Sequence, residues 1–278
     1  MKKLPYYLPL FLIILYSCKK SNPGGSTPPS PYYLSSAVAS TTQRRIVDSF
    51  YYDTLHRVDT FTQAIYDTTS GTPAFNTWTI QFLYQDNNTQ PSWYNYYDLP
   101  LGGFGDYHLL SYDANDRIAK DTSLSGSGEV TYYSYPNGNI ATAILPEGTP
   151  ENNFMDTMYI SNGNISKEVL WLSEIPGQPD AFAGDADFTY ASYANPGYHA
   201  AFSNTIGPLL SGYTLSNDAS IVDFTSKNAM QTENGTETFA PLNIPILNYT
   251  LTPDNKGRVA EMTSGTGASA ATIVFSYY

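Results

Sequence analysis

The chain has 278 residues, with 13 Lys and Arg against 25 Asp and Glu and a formal net charge of −12. Four of the basic residues precede residue 21, so residues 32–278 hold nine basic and twenty-five acidic groups, a net −16. That balance repels nucleic acid and anionic membrane surfaces, and the single cysteine, Cys18, excludes a disulfide within the monomer.

Residues 1–17 read as an export signal. Lys2 and Lys3 open it, and residues 8–15 form an apolar run that falls short of the ~20 residues a spanning helix needs. The run ends in Leu15-Tyr16-Ser17-Cys18, which resembles a lipobox. The resemblance implies cleavage before Cys18 and acylation of its thiol, hence an outer-membrane lipoprotein. Residues 19–31 (KKSNPGGSTPPSP) cannot bury a core. Together with Cys18 they form a flexible tether, 18–31, with a reach of ~40 Å. Lys19, Lys20, Ser21 and Asn22 replace the acidic residues that direct related lipoproteins outward. Periplasmic and surface-facing orientations therefore both stay open.

The remaining residues, 32–278, are expected to form one β-rich domain. Alternating apolar and polar residues mark strands over 46–53, 58–66, 77–84, 107–112, 117–123, 129–135, 139–145, 155–160, 165–172, 182–192, 246–252, 258–263 and 271–277. Turns rich in Gly, Asn, Asp and Pro separate them. The expectation is an all-β fold, a large antiparallel meander of roughly 12–14 strands. A sheet of that size curls into a rolled sheet or closes as a barrel. Residues 195–210 break the rhythm, and one or two short helices are expected there.

Four stretches share one design: YDTLHRV (52–58), YDANDRI (112–118), YISNGNI (159–165) and PDNKGRV (253–259). Read as hairpins with three-residue loops, they put His56, Asp116, Gly163 and Gly257 where φ is positive. Asp53/Arg57, Asp113/Arg117 and Asp254/Arg258 then face each other across the strands, worth ~0.2–1 kcal/mol per pair. Tyr or Pro faces Val or Ile one step further out. A shorter variant, 135–140, carries Asn137-Gly138, the strongest two-residue hairpin signal.

The Tyr-Asp-x-x-x-Arg-Val/Ile pattern resembles the tyrosine-aspartate (YD) repeats of large bacterial surface and toxin-shell proteins. Ser226-Lys227-Asn228, residues 248–259 and the terminal Ile273-Val274-Phe275-Ser276-Tyr277 are similar to uncharacterised Bacteroidota lipoproteins with a β-rich, porin-like domain. The similarity covers most of 45–278 and implies a fold. It carries over no functional residue.

No reaction is legible. G-x-S-x-G, H-E-x-x-H and Cys-His metal spacings are absent, and His56, His108 and His199 lie far apart. Glu129, Glu147, Glu151, Glu168 and Glu174 could supply a glycosidase pair, but solvated strand faces and turns explain them as well. Asp113-Ala114-Asn115-Asp116 and Asp185-Ala186-Asp187 offer oxygens to calcium, yet turn chemistry accounts for the same residues. No metal or cofactor is expected. Residues 91–98 (PSWYNYYD) pack four aromatics into five positions. Trp93, Tyr94, Tyr96 and Tyr97 are the candidate ligand-binding residues, for a neutral glycan or a protein partner. The expected function is therefore non-catalytic binding by a lipid-anchored envelope domain. The alternatives are an envelope hydrolase acting on glycans or peptides and an integral outer-membrane barrel.

Overall fold

The computed structural model describes residues 33–278 except 43, 69–75, 99–103, 126–127, 146–152, 174–180, 198–225, 238–246 and 266–269. The chain divides into Met1–Pro31 and Tyr32–Tyr278, and the signal and tether readings lie outside the described residues.

The described residues of the second unit form sixteen strands: β1 (Leu34–Ser40), β2 (Arg44–Tyr52), β3 (Val58–Asp67), β4 (Asn76–Tyr84), β5 (Pro91–Asp98), β6 (Phe104–Tyr112), β7 (Ile118–Ser123), β8 (Val130–Ser134), β9 (Ile140–Leu145), β10 (Asn153–Ser161), β11 (Asn164–Ser173), β12 (Ala181–Ala194), β13 (Asn228–Glu237), β14 (Leu247–Pro253), β15 (Val259–Ser264) and β16 (Ala271–Tyr277). Each pairs with its sequence neighbour, and β1 pairs with β16 to close a barrel. In that closing seam Leu34 faces Tyr277, Ala37 faces Phe275 and Ala39 faces Ile273. All-β closure agrees with the sequence, while the strand count exceeds the expected 12–14. Strands β1, β5 and β13 were not among the expected ones. The helical segment expected over 195–210 lies mostly outside the described residues, which show only the start of a helical turn at 196–197.

Period-two alternation gives the wall its two faces. On β2 to β5 the inward residues are Phe50, Phe61, Ile80, Phe82 and Tyr94, all essentially unexposed, with Trp78 beside them. Leu34, Ile118, Val259, Met262, Ile273 and Phe275 join the same apolar cluster from distant strands. Each such side chain contributes about 1.5–3 kcal/mol by leaving water. Barrels of sixteen strands often enclose an aqueous channel. Here the described interior holds this apolar cluster together with buried polar and charged side chains, among them Asp48, Gln63, His108, Asp121, Asp156 and Glu168.

The even-to-odd connections lie at one end of the barrel, and three of them repeat one hairpin. In each, an Asp carboxylate accepts the N–H groups of residues two and four further on and pairs with the Arg guanidinium. The Asp53–Arg57 Nε–Oδ2 distance is 2.6 Å, Asp113–Arg117 2.8 Å and Asp254–Arg258 2.7 Å. His56, Asp116 and Gly257 close these loops at φ 61°, 62° and 76°. Only residues that tolerate the left-handed region fit there.

The Arg does not project away from the core, as simple alternation would have it. It folds over the ring of a Tyr on, or one residue past, the next strand. Arg57 lies 4.2 Å from the Tyr84 centroid, Arg117 3.8 Å from Tyr135 and Arg258 4.0 Å from Tyr277. Each Tyr hydroxyl then donates to the carbonyl just after that Arg, of Val58, Ile118 and Val259 respectively.

YISNGNI departs from the three-residue reading. Ser161 pairs with Asn164, and Asn162 (φ 54°) and Gly163 (φ 80°) form a two-residue turn. With no Asp–Arg pair to close a longer loop, Asn-Gly takes its own preferred geometry. Asn137 (φ 54°) and Gly138 (φ 85°) do the same in the 135–140 hairpin, as expected.

Candidate functional site

Residues 91–98 form β5, whose alternation splits the four candidate aromatics. Tyr94 and Tyr96 point inward. Tyr94 is wholly buried, and Tyr96 packs against the apolar cluster. Trp93, Asn95 and Tyr97 point outward. Trp93 is 40% exposed and faces Leu109 on β6, itself 50% exposed. Tyr107, opposite Asn95, is also exposed. The Tyr97 ring covers Gly105, where an added Cβ would meet it at 3.3 Å. Asn95 Nδ2 donates to the Tyr97 hydroxyl at 3.1 Å, and Asn95 Oδ1, out of water's reach, has no partner among the described residues.

From β14 round to β4 the outer wall carries more hydroxyls. Outward residues there include Thr250, Thr252, Thr263, Thr272, Ser276, Ser36, Ser49, Thr60, Thr62 and Thr79, with Arg45 and Glu261. Tyr51 and Val274 are exposed among them, so that stretch is mixed and not free of apolar side chains.

Inside, the sequence reading missed a polar network. The Tyr94 hydroxyl donates to Asp121 Oδ2 at 2.5 Å. Asp121 Oδ1 lies 2.8 Å from His108 Nδ1. His108 Nε2 lies 3.3 Å from Asp106 Oδ2. Asp106 accepts the hydroxyls of Ser123, at 2.9 Å, and of Ser125. The Tyr94 and His108 rings stack at 4.4 Å. Burial lowers the imidazole pKa, but the hydrogen bond and charge of Asp121, then those of Asp106, outweigh it and raise the value above normal. Both carboxylates favour the protonated ring.

This is not a nucleophile–base arrangement. His108 faces carboxylates on both ring nitrogens, and the serine hydroxyls donate to Asp106 rather than to the imidazole. His56 is absorbed by its turn, its ring stacked on Tyr33 at 5.0 Å, and His199 lies outside the described residues.

Two further carboxylate sites lie inside. Asp48 accepts from Gln63 Nε2 at 3.0 Å, and Gln63 Oε1 accepts from the Trp78 indole at 3.1 Å. Asp48 Oδ2 has no partner among the described residues. Burial pushes the Asp48 pKa up to about 8, so it is protonated at neutral pH. The folded state therefore binds this proton more tightly than the unfolded chain, and stability falls as pH rises from about 4 to 8. Asp48→Asn is expected to raise the urea midpoint at pH 8 and to change it little at pH 4. Equal shifts at both pH values would show that Asp48 titrates normally.

Asp156 and Glu168 are both buried and hydrogen-bonded to each other, and burial raises the Asp156 pKa. They sit closer than the ~5–9 Å that glycosidase carboxylates require. Glu129 is exposed, while Glu147, Glu151 and Glu174 lie outside the described residues. Among the described residues no group of three or more metal-ligating side chains comes together. Asp113 serves its turn and Arg117, which holds its carboxyl down at about 2. Asp185 pairs with Lys167 at 2.6 Å. Cys18 lies outside the described residues.

No family model and no curated protein matches the chain. Solved structures do. A porin-like protein from Bacteroides uniformis superposes on 90% of this chain and 99% of its own, with a TM-score of 0.54 at 15% identity. A porin-like protein from Bacteroides vulgatus covers 89% and 99%, with a TM-score of 0.46 at 10% identity. The first establishes a shared porin-like barrel fold. At that identity it carries no function across.

Proposed function

We propose that this chain is an envelope protein, anchored by an acylated Cys18, whose barrel binds a neutral glycan on its outer wall. The observation that carries the reading is the division of β5: Tyr94 and Tyr96 belong to the interior, leaving Trp93 and Tyr97 outward beside Tyr107 and Leu109. Exposed aromatic rings offer flat apolar faces with polar edges, which suits stacking on sugar rings. The net −16 of residues 32–278 disfavours acidic polymers. The hydroxyl-rich stretch of wall from β14 round to β4 interrupts the continuous apolar outer band about 25 Å tall that a spanning barrel needs.

The test is a glycan array with the purified mature chain. Trp93→Ala with Tyr97→Ala is expected to cut binding of neutral glycans at least tenfold, with a melting curve to establish that the variant still folds. Tyr96→Phe, a change on the inner face, should leave binding intact. Wild-type protein that retains no neutral glycan, or captures only a protein partner through this patch, overturns the glycan reading.

A further inference from the structure

The exposed rings do not stop at β5 and β6. Tyr132 on β8 faces Lys120 on β7, and Lys120 lies 5.6 Å from its ring centroid. Further round, Trp171 on β11 faces Phe182 on β12, the two rings meeting edge to face at 5.6 Å. Tyr132, Trp171 and Phe182 are 44%, 36% and 38% exposed. They share one register row: Tyr132 faces residue 143 on β9, which faces Met155 on β10, which faces Trp171.

We infer that the outer wall from β5 to β12 is one extended site for a long, linear, uncharged polysaccharide, with Trp93 and Tyr97 at one end and Trp171 and Phe182 at the other. This rests on the glycan reading above and adds its extent and the class of chain it takes. Seven interstrand spacings of about 4.8 Å separate β5 from β12, giving a track roughly 30 Å long. A barrel wall is convex, so a flat, rigid partner touches only part of such a row, whereas a flexible linear chain follows it. The cations along the row are already engaged, Lys120 over Tyr132 and Lys167 with Asp185. That leaves little to recruit anionic groups, and the acidic domain repels them. The charge character of the face thus matches a neutral polymer.

The experiment measures affinity for neutral linear gluco-, manno- and xylo-oligosaccharides of two to eight sugars, by calorimetry on the mature chain. Wild type should gain at least tenfold from two sugars to eight. Trp171→Ala with Phe182→Ala should abolish that gain. Trp93→Ala with Tyr97→Ala should weaken every length. Melting curves establish that both variants fold. If the β11–β12 variant binds the octasaccharide as wild type does, the site ends before β11 and the inference fails, with the glycan reading intact. Loss that is equal at all lengths also overturns it. Wild type that binds no sugar, or binds uncharged lipid vesicles through these residues instead, overturns both.

Discussion

Replacing Asp121 with alanine is expected to cost the barrel about 3–5 kcal/mol, the loss typical of removing one partner from a buried pair. Asp121 holds both the Tyr94 hydroxyl and the His108 imidazole. Without it, a buried phenol loses its acceptor and a buried cation keeps only Asp106. For a domain of this size the midpoint should fall by roughly 10 °C or more. The pH dependence identifies the cause. The folded pKa of His108 is raised, so its contribution is fully present below the unfolded value of about 6.5. It is lost as pH rises through the folded value. Asp48 tilts stability the same way over a lower window, from about 4 to 8, so Asp48→Asn should be the background. In that background, urea unfolding at pH 6 and pH 9 should show a residual decline that His108→Gln removes. A decline that persists in His108→Gln would mean the imidazole is not the titrating group.

Changing Cys18 to alanine should move the protein wholesale from the membrane fraction to the soluble one. Among the described residues no helix is long and apolar enough to cross a membrane. That fact says nothing of strands, so the variant decides between anchor and wall. Wild type should take up labelled fatty acid, and the alanine variant should not. A variant that stays in washed membranes without label would place the barrel itself in the bilayer and revive the integral reading. Such a result would also recast the Trp93 and Trp171 rings as lipid-facing.

The hairpins were legible because their chemistry is local. Asp53, Asp113 and Asp254 cap their own loops, and positive φ at His56, Asp116 and Gly257 follows from which residues tolerate it. What lay beyond each loop was hidden by a bulge. In all three hairpins the register slips just past the outer pair, so Ser111 faces Lys120 rather than the next residue back from Ile118. A one-residue slip turns every later side chain to the other face. Counting from the turn without it sends Asp121 and Ser123 outward, away from His108. Strands β1 and β13 escaped for another reason. LSSAVAS offers small side chains and NAMQTENGTE mostly polar ones, so neither shows an apolar period. At β5 the alternation was readable, but which face was core depended on strands on either side.

The seam between β1 and β16 bears on how the molecule is made. Tyr278 N–H donates to the Tyr33 carbonyl at 3.0 Å, and the Tyr278 hydroxyl reaches the Phe50 carbonyl. A chain delivered N-terminus first has β1 in place from the outset and its partner only once all fifteen other strands have emerged. Until then the growing sheet carries two unpaired edges, the kind of surface that templates aggregation, and the closing contact spans almost the whole chain, which slows its formation. Those edges stay open until β16 meets β1. Joining Tyr278 to Tyr33 and opening the chain at the exposed Asn162-Gly163 turn would make β1 and β16 neighbours in sequence, so that the seam could form as a hairpin.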